Sequence, residues 1–312
     1  MLPPSRLVVI LPLVLAFVSF VLSSITLFSG HKQGFMEDYA IVRLNTSMIG
    51  HNLVDKAKDG GAKGDEGKDG PLGRLQSWWD DKKSDAKDKI DSAKGKVAGK
   101  IAGKIGLSQW YSLHIMDACE GSFEPDPTAP NAGLNTTNCT TSAPAHRLNL
   151  TQILDHKLNV GRLGVGLNDL GWTDSVQDKL DILNDTLLGL FIVYVLGMGL
   201  SGLSMLLNLA ALFLLGKSGA VVLANFMAAS LAALCCIIGS VITTAAGSKA
   251  VDQINKRGAR VGLAAERGSK FYIIGWITTG FMFAVTAFWL VQFLLLRRKR
   301  AAVLKTMEKG GS

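Results

Sequence analysis

The chain has 312 residues, enough for one or two ordinary domains. Hydrophobic residues make up 48% of it and charged residues 19%, with a mean hydropathy of +0.27, which excludes a disordered chain and a typical soluble enzyme. Four cysteines are too few for a disulfide-dense miniature scaffold. The net charge of +8 fits nucleic acid or anionic lipid as a partner, and the positions of the charges decide between them.

Four long stretches contain no Asp, Glu, Lys, Arg or His. They are 22, 29, 31 and 26 residues long and cover 7–28, 187–215, 218–248 and 271–296. A helix rises about 1.5 Å per residue, so even the shortest reaches about 33 Å, against a hydrocarbon core of about 30 Å. These lengths predict four spanning helices rather than buried helices of a soluble protein. A cleaved signal peptide is the alternative for the first stretch, whose apolar run exceeds the usual length, so we favour an uncleaved span.

The connecting segments complete the predicted organisation. We expect a mainly α fold: a four-helix transmembrane bundle with a large extracellular α+β loop domain between spans one and two. Because the link between spans two and three has two residues, those spans should form an antiparallel hairpin. The segments are a cytoplasmic head, 1–6; the extracellular domain, 29–186; the link, 216–217; an extracellular loop, 249–270; and a basic cytoplasmic tail, 297–312.

The tail favours an orientation with both termini in the cytoplasm. It opens with four basic residues, Arg297, Arg298, Lys299 and Arg300. Basic residues next to a span favour the cytoplasmic side, and an even number of spans places the head there too. Anionic lipid is the nearer partner for this cluster, so we expect no nucleic acid. Loop 249–270 disagrees, because it carries six basic against two acidic residues on the predicted outer side.

Sequons and cysteines support an outward-facing loop domain. All five N-glycosylation sequons lie in it, at Asn45, Asn135, Asn138, Asn149 and Asn184. Cys119 and Cys139 also lie there, where an oxidising exterior would let them pair. Such a bridge closes a loop of about 20 residues and should stabilise the domain by about 3 kcal/mol.

The loop domain is not uniform in composition. Alternating apolar residues predict strands within 39–47 and 110–116. Residues 55–74 have the composition of a solvated linker, and 75–106 have the period of an amphipathic helix. This helix would lie on the membrane surface or pack lightly on its own domain. The remaining part, 107–186, contains the two cysteines, with a Pro- and Asn-rich turn region between them.

The sequence contains no motif that predicts catalysis or metal binding. Walker-type, HExxH, GxSxG and CxxC motifs are missing, and the five histidines lack metal-ligand spacing. We therefore expect no enzyme, cofactor or metal. Charge-free spans argue against a channel or transporter. Within the spans, Asn208 and Asn225 are placed to hydrogen-bond each other, and small residues at a spacing of four suit packing within the bundle or between copies.

Two segments of the loop domain resemble a known family. The first is IVRLNTSMIGHN, soon after span one, and the second is WYSLHIMDACEGSFEP, before the second cysteine. Both are similar to the fungal Sur-seven/PalI family of four-span membrane proteins. The matching residues are Asn45, Thr46, Ser47, Tyr111, Ser112, His114, Met116, Cys119, Glu120, Gly121 and the run from Asn135 to Cys139. The charged segment 55–104 departs from the family pattern.

The resemblance implies a non-catalytic role at the fungal plasma membrane. Some members mark static cortical patches, the eisosome-associated compartments, and influence membrane furrows, endocytosis, cell-wall morphogenesis and sphingolipid content. Implied partners are membrane lipids, membrane-domain scaffold proteins and a second copy of the chain. The PalI branch assists ambient-pH sensing, for which a titrating His114 is the candidate residue. A claudin-like contact protein is a further alternative, although Trp110 does not directly follow Gly106 and Leu107 as that family's motif requires.

Overall fold

The computed structural model describes residues 6–47, 108–125, 127, 129, 132–140, 174–214, 219–258 and 263–310. The chain divides into two compact units. The helical unit comprises Met1–Phe28, Gly189–Ala245 and Ser269–Ser312, and the sheet unit comprises Ser29–Leu188 and Ala246–Gly268. The predicted linker 55–74 and the predicted amphipathic helix 75–106 lie outside the described residues.

Four long helices confirm the predicted mainly α fold. They are α1 (Ile10–Phe28), α2 (Asp174–Leu214), α3 (Gly219–Gly258) and α4 (Ser269–Gly310). Each contains a segment long and apolar enough to cross a membrane, so this is a multi-pass membrane protein. Three helices run beyond the charge-free stretches: α2 begins at Asp174, α3 ends at Gly258 and α4 ends at Gly310. Lipid excludes charged residues only from the part of a helix that lies within the membrane. Beyond the membrane, the helix can continue into water on polar and charged residues with a high helix propensity.

Small residues let the helices of the helical unit approach closely. The buried cluster that contains Trp289 is rich in alanine, including Ala16, Ala211, Ala229, Ala232 and Ala233. A Cβ built at Gly197 of α2 would lie 3.6 Å from Cβ of Cys235 in α3. Gly275 similarly faces Ser240, whereas a Cβ at Gly280 would meet nothing within 4 Å. Two of the small positions singled out in the sequence therefore serve packing within one chain.

The two buried asparagines bond to partners other than each other. Asn208 accepts a hydrogen bond from Trp289 Nε1 at 2.9 Å, which links α2 to α4. Asn225 Nδ2 donates to the backbone carbonyls of Val221 at 2.8 Å and Leu207 at 3.3 Å, the latter bond linking α3 to α2. The expected Asn208–Asn225 bond is replaced because the Trp289 indole needs an acceptor that its own helix does not supply.

The sheet unit contains a five-stranded antiparallel sheet in the order β4-β3-β2-β1-β5. The strands are β1 (Val42–Asn45), β2 (Trp110–Leu113), β3 (Ala118–Glu124), β4 (Gly133–Cys139) and β5 (Ala264–Arg267). The predicted strands within 39–47 and 110–116 are present as β1 and β2. The prediction of a turn region between the cysteines was wrong in part, because most of these residues form the paired strands β3 and β4. Cys119 and Cys139 lie directly opposite each other and form a disulfide bond, which favours a hairpin over an irregular loop.

Strand β5 comes from the loop that was predicted to lie between spans three and four. It pairs with β1 in the register Leu44↔Ala265 and Val42↔Arg267. Both loops therefore contribute to one sheet and lie on the same side of any membrane that the helices cross. The basic residues of 249–270 cannot then be assigned to the opposite side from the first loop.

Candidate functional site

A buried cluster of polar side chains lies in the sheet unit beside the two cysteines. It consists of Ser29, Glu37, Ser112 and His114, and we call it the polar cluster. Ser29 directly follows α1, and Glu37 opens a short 3-10 turn, Glu37–Tyr39. Ser112 lies in β2 and His114 directly follows that strand. Their placement follows from the alternation of β2, whose buried face carries Trp110 and Ser112 and continues to His114.

Hydrogen bonds connect all four side chains of the cluster. The Ser112 hydroxyl donates to Glu37 Oε2 at 2.9 Å, and His114 Nε2 lies 3.2 Å from Ser112 Oγ and 3.4 Å from Glu37 Oε2. On the other side of the ring, Nδ1 lies 3.3 Å from Ser29 Oγ. His114 is 1% exposed and Glu37 7%, so these groups satisfy one another inside the protein.

The directions of the hydroxyl bonds show which oxygens can accept from the imidazole. Ser112 gives its hydroxyl hydrogen to Glu37, and Ser29 donates to the Tyr39 carbonyl at 3.3 Å. Both hydroxyl oxygens are therefore available to His114 as acceptors. The cluster thus places the buried imidazole of His114 3.4 Å from the buried carboxyl group of Glu37.

Gly30 and the disulfide pack against the polar cluster. Gly30 has φ +77°, and a Cβ at this position would lie 2.5 Å from Cδ2 of His114. The Gly30 carbonyl oxygen lies 3.5 Å from Sγ of Cys119. The predicted disulfide Cys119–Cys139 is present, and Sγ of Cys139 lies 3.8 Å from Glu37 Oε1. The chain leaving α1 is thereby packed directly on the disulfide-bonded strands.

The cluster does not offer a complete metal site while the disulfide is intact. Ligand atoms of Glu37, His114 and Cys119 lie within 4.8 Å of one another. A metal would need the thiolate of Cys119, but this sulfur is bonded to Cys139. One imidazole and one carboxylate remain, fewer than the three or four ligands of a protein zinc site. The arrangement is suited to fixing the fold rather than to binding an ion.

Comparison with protein families identifies the chain. The model of the SUR7/PalI family matches residues 8–288, which include α1, α3, the whole of α2, every strand of the sheet and the first part of α4. The chain belongs to the SUR7/PalI family. No curated protein and no solved structure matches it.

Several SUR7/PalI motif residues make contacts within and between the strands of the sheet. Asn45 Oδ1 accepts hydrogen bonds from the backbone nitrogen of Ser47 at 3.0 Å and from its hydroxyl at 2.6 Å, which closes a turn after β1. Thr46 Oγ1 donates to the Ser108 carbonyl at 2.6 Å, just ahead of β2. A Cβ at Gly121 would lie 2.5 Å from the ring of Trp110. Two motif segments far apart in the sequence therefore build one structure.

The predicted glycosylation residues fall in different environments. Asn135 and Asn138 are exposed on β4, whereas Asn45 is half-buried at the end of β1. Asn149 lies outside the described residues, and Asn184 falls within α2 with a side chain that is also outside them.

The basic residues of the tail lie on a helix. Arg297, Arg298, Lys299 and Arg300 are all exposed on α4, which continues past them. Successive helical residues are rotated by about 100°, so four of them surround the helix with positive charge. The Arg297 guanidinium lies 5.8 Å from the ring centroid of Phe293, a cation–π contact. We call these four residues the basic collar.

Three members of the site are not predictable from the sequence. Ser29, Gly30 and Glu37 lie in a segment with no recognisable motif, and Glu37 is 77 residues away from His114. The available signals were weak: a glycine after a span and an acidic residue near a predicted strand. Neither indicates which distant residue will be its partner.

Proposed function

We propose that this SUR7/PalI family protein is a structural component that organises domains of the plasma membrane. Its role would be of the eisosome type, marking cortical patches and affecting endocytosis and cell-wall morphogenesis. The observation that carries the proposal is a sheet built from both loops and fixed by the disulfide and the polar cluster. Such a sheet offers a rigid outer surface for lasting contacts with the wall, lipids or neighbouring copies.

The proposed role is non-catalytic. The buried polar side chains of the site bond to one another, as in the pairs Ser112–Glu37 and His114–Ser29. A rigid scaffold is also what a chain with charge-free spans can supply without conducting ions.

The basic collar supports a proposed orientation and partner. Arg297–Arg300 would lie at the cytoplasmic headgroup layer and attract anionic lipids, at about 1 kcal/mol per basic residue. Both termini would then be cytoplasmic, and the sheet would face outward. Scaffold proteins on the cytoplasmic side and a second copy of the chain are further proposed partners.

Imaging of the protein in a fungal cell tests the proposal. A fluorescent protein is fused to the C-terminus, and fluorescence recovery after bleaching is measured at the cell surface. We expect stable patches that coincide with membrane furrows and recover little fluorescence. An even surface distribution with rapid recovery would contradict the domain-organising role. A marker with a single span and no sheet serves as the mobile control.

A second candidate function, an accessory role in ambient-pH signalling, is favoured by the buried His114–Glu37 pair. Imidazole is the side chain that changes charge near neutral pH. His114 also contacts Ser29 and lies against Gly30, so a change at the ring would reach the packing of the chain that leaves α1. A His114→Gln variant keeps hydrogen-bonding capacity without an imidazole. If it reaches the surface and leaves the pH response of the cell unchanged, a role of His114 in that response is excluded.

A further inference from the structure

The three sequons that the structure describes divide into two kinds. We propose that the exposed face of β4 is the glycosylated surface of the sheet unit, with Asn135 and Asn138 as acceptors and Asn45 excluded. This inference rests on the outward-facing sheet of the proposed function, because glycans are added on that side of the membrane. It separates sequons that are equivalent in the sequence.

An irregularity in β4 brings the two acceptors to one face. Glu120 pairs with Asn138 and Gly121 with Thr136, which leaves Thr137 as an extra residue in the ladder. In a regular strand, residues three apart point to opposite faces. The bulge shifts the alternation by one, so that Asn138 returns to the face of Asn135.

The same shift points the neighbouring residues inward. Thr136 is buried at 6% exposure, opposite Gly121, and Cys139 bonds to Cys119 across the same face. The bulge therefore satisfies two requirements at once: the disulfide on the inner face and two asparagines in solvent. Thr137 Oγ1 donates to the Glu120 carbonyl at 3.0 Å, which fixes the bulge locally.

Asn45 lies in surroundings that leave little room for a sugar. It is the last residue of β1, which pairs with β2 on one side and β5 on the other. Its strand partner Trp110 is fully buried, and the next two residues of its sequon, Thr46 and Ser47, are 5% and 2% exposed. Ser47 gives its hydroxyl hydrogen to Asn45 itself. This sequon is used as a turn, so its residues serve the fold.

Glycans on β4 would also shield the edge at which the sheet ends among the described residues. β4 is a terminal strand, and an uncovered edge can pair with another chain. Asn135 and Asn138 are exposed there, so sugars attached to them would crowd an incoming strand. The glycosylated edge would be the side of the sheet that stays free of protein contacts.

The test counts glycans on the full chain expressed in a eukaryotic cell and inserted into its membranes. Gel mobility with and without endoglycosidase is compared for Asn45→Gln, Asn135→Gln and Asn138→Gln, in a background with Asn149→Gln and Asn184→Gln. Each attached glycan slows migration by one step that endoglycosidase removes. We expect Asn135→Gln and Asn138→Gln each to lose one step and their double variant to lose both. Asn45→Gln should lose none.

Matched threonine variants distinguish loss of the sequon from damage to the strand. Thr137→Ala should remove the step that depends on Asn135, whereas Thr137→Ser keeps both the sequon and the hydroxyl and should retain it. The proposal would be overturned if Asn45→Gln lost a mobility step. It would also be overturned if the double variant Asn135→Gln with Asn138→Gln migrated like the background protein. Neither result depends on patch formation, so the proposed function is tested separately.

Discussion

At the scale of single residues, the polar cluster depends on a backbone conformation that most residues avoid. Gly30 has φ +77° and lies so close to the His114 ring that no side chain fits between them. Two independent requirements, a left-handed backbone and close approach, therefore meet at one glycine. Gly34 has a similar φ of +73°, but a Cβ there would meet nothing within 4 Å.

This contrast predicts different effects for the same substitution. Gly34→Ala should cost about 1 kcal/mol, the price of a left-handed alanine. Gly30→Ala should cost clearly more, because the ring of His114 must also move and its bonds to Ser29 and Ser112 are disturbed. The apparent melting temperature of the purified protein in detergent measures both. Equal shifts for the two variants would show that the cluster tolerates displacement of the ring.

A second residue-scale prediction concerns Trp289 in the helical unit. Trp289→Phe removes the bond to Asn208 and leaves a buried amide oxygen without that donor. The loss should be about 0.6 kcal/mol or somewhat more, the usual size for hydrogen bonds between membrane helices. Trp276→Phe is the control, because its bond to Thr244 lies at an exposed position. Unfolding in mixed micelles reports the difference, and an equal effect of both changes would argue against the Asn208 bond.

At the scale of elements, β5 shows how a short edge strand is protected. The backbone nitrogen of Ala265 donates to Asn255 Oδ1 at 2.7 Å, and its carbonyl accepts from Asn255 Nδ2 at 3.0 Å. Both groups of a strand residue point the same way, so these bonds lie on the side away from β1. The amide of Asn255 takes the place of a further strand and covers the edge.

Removal of this amide should loosen β5 alone. Asn255→Ala deletes two hydrogen bonds, each worth about 1 kcal/mol, and exposes the Ala265 backbone groups. Hydrogen exchange of Ala264–Arg267 should accelerate by more than tenfold. Lys256→Ala is the matched control, because its exposed ion pair with Asp252 contributes little. Unchanged exchange in Asn255→Ala would mean that pairing with β1 suffices.

A second element-scale prediction concerns the disulfide between β3 and β4. Cys119→Ala should misfold the sheet unit and retain the protein early in secretion, because the bridge contributes about 3 kcal/mol and packs against the polar cluster. Cell fractionation or surface labelling measures the retention. Cys235→Ala is the control, since this free cysteine lies in α3. Normal surface delivery of Cys119→Ala would contradict the structural role.

Elements differed in how far the sequence predicted them. The helices were predictable because absence of charge over 22 residues or more has few alternatives in a folded protein. β2 was predictable from its alternation. β5 was not, because its four residues, AAER, carry no strand pattern and their pairing with β1 spans some 220 residues of chain. β3 and β4 were hidden by glycine, asparagine and a bulge, which read as a turn.

The residues of the candidate site also differed in how far the sequence predicted them. The cysteine pair was inferred from location, and the alternation of β2 placed Ser112 and His114 on one face. Glu37 was not inferred, because a hydrogen bond over 75 residues leaves no periodic trace. Contacts that depend on tertiary structure are the part that local patterns do not contain.

At the scale of the whole molecule, the proposed function requires both loops to form one sheet. In this four-span SUR7/PalI protein, β1 comes from the loop after α1 and β5 from the loop between α3 and α4, and the two strands pair within the sheet unit. The disulfide and the polar cluster then fix the first loop, and pairing with β5 extends that rigidity to the second. If the loops were independent, the proposed outer surface would not exist as one body.

An engineered cross-link between the loops tests this claim most directly. Leu44 and Ala265 are opposite each other, with their Cβ atoms on one face, so Leu44→Cys with Ala265→Cys should form a bridge. A protease site replaces the link 216–217, and the cleaved protein is run on a gel with and without reductant. We predict two fragments that stay joined until reduced, whereas Leu44→Cys with Glu266→Cys separates. Fragments of the Leu44–Ala265 pair that separate without reductant would contradict the account.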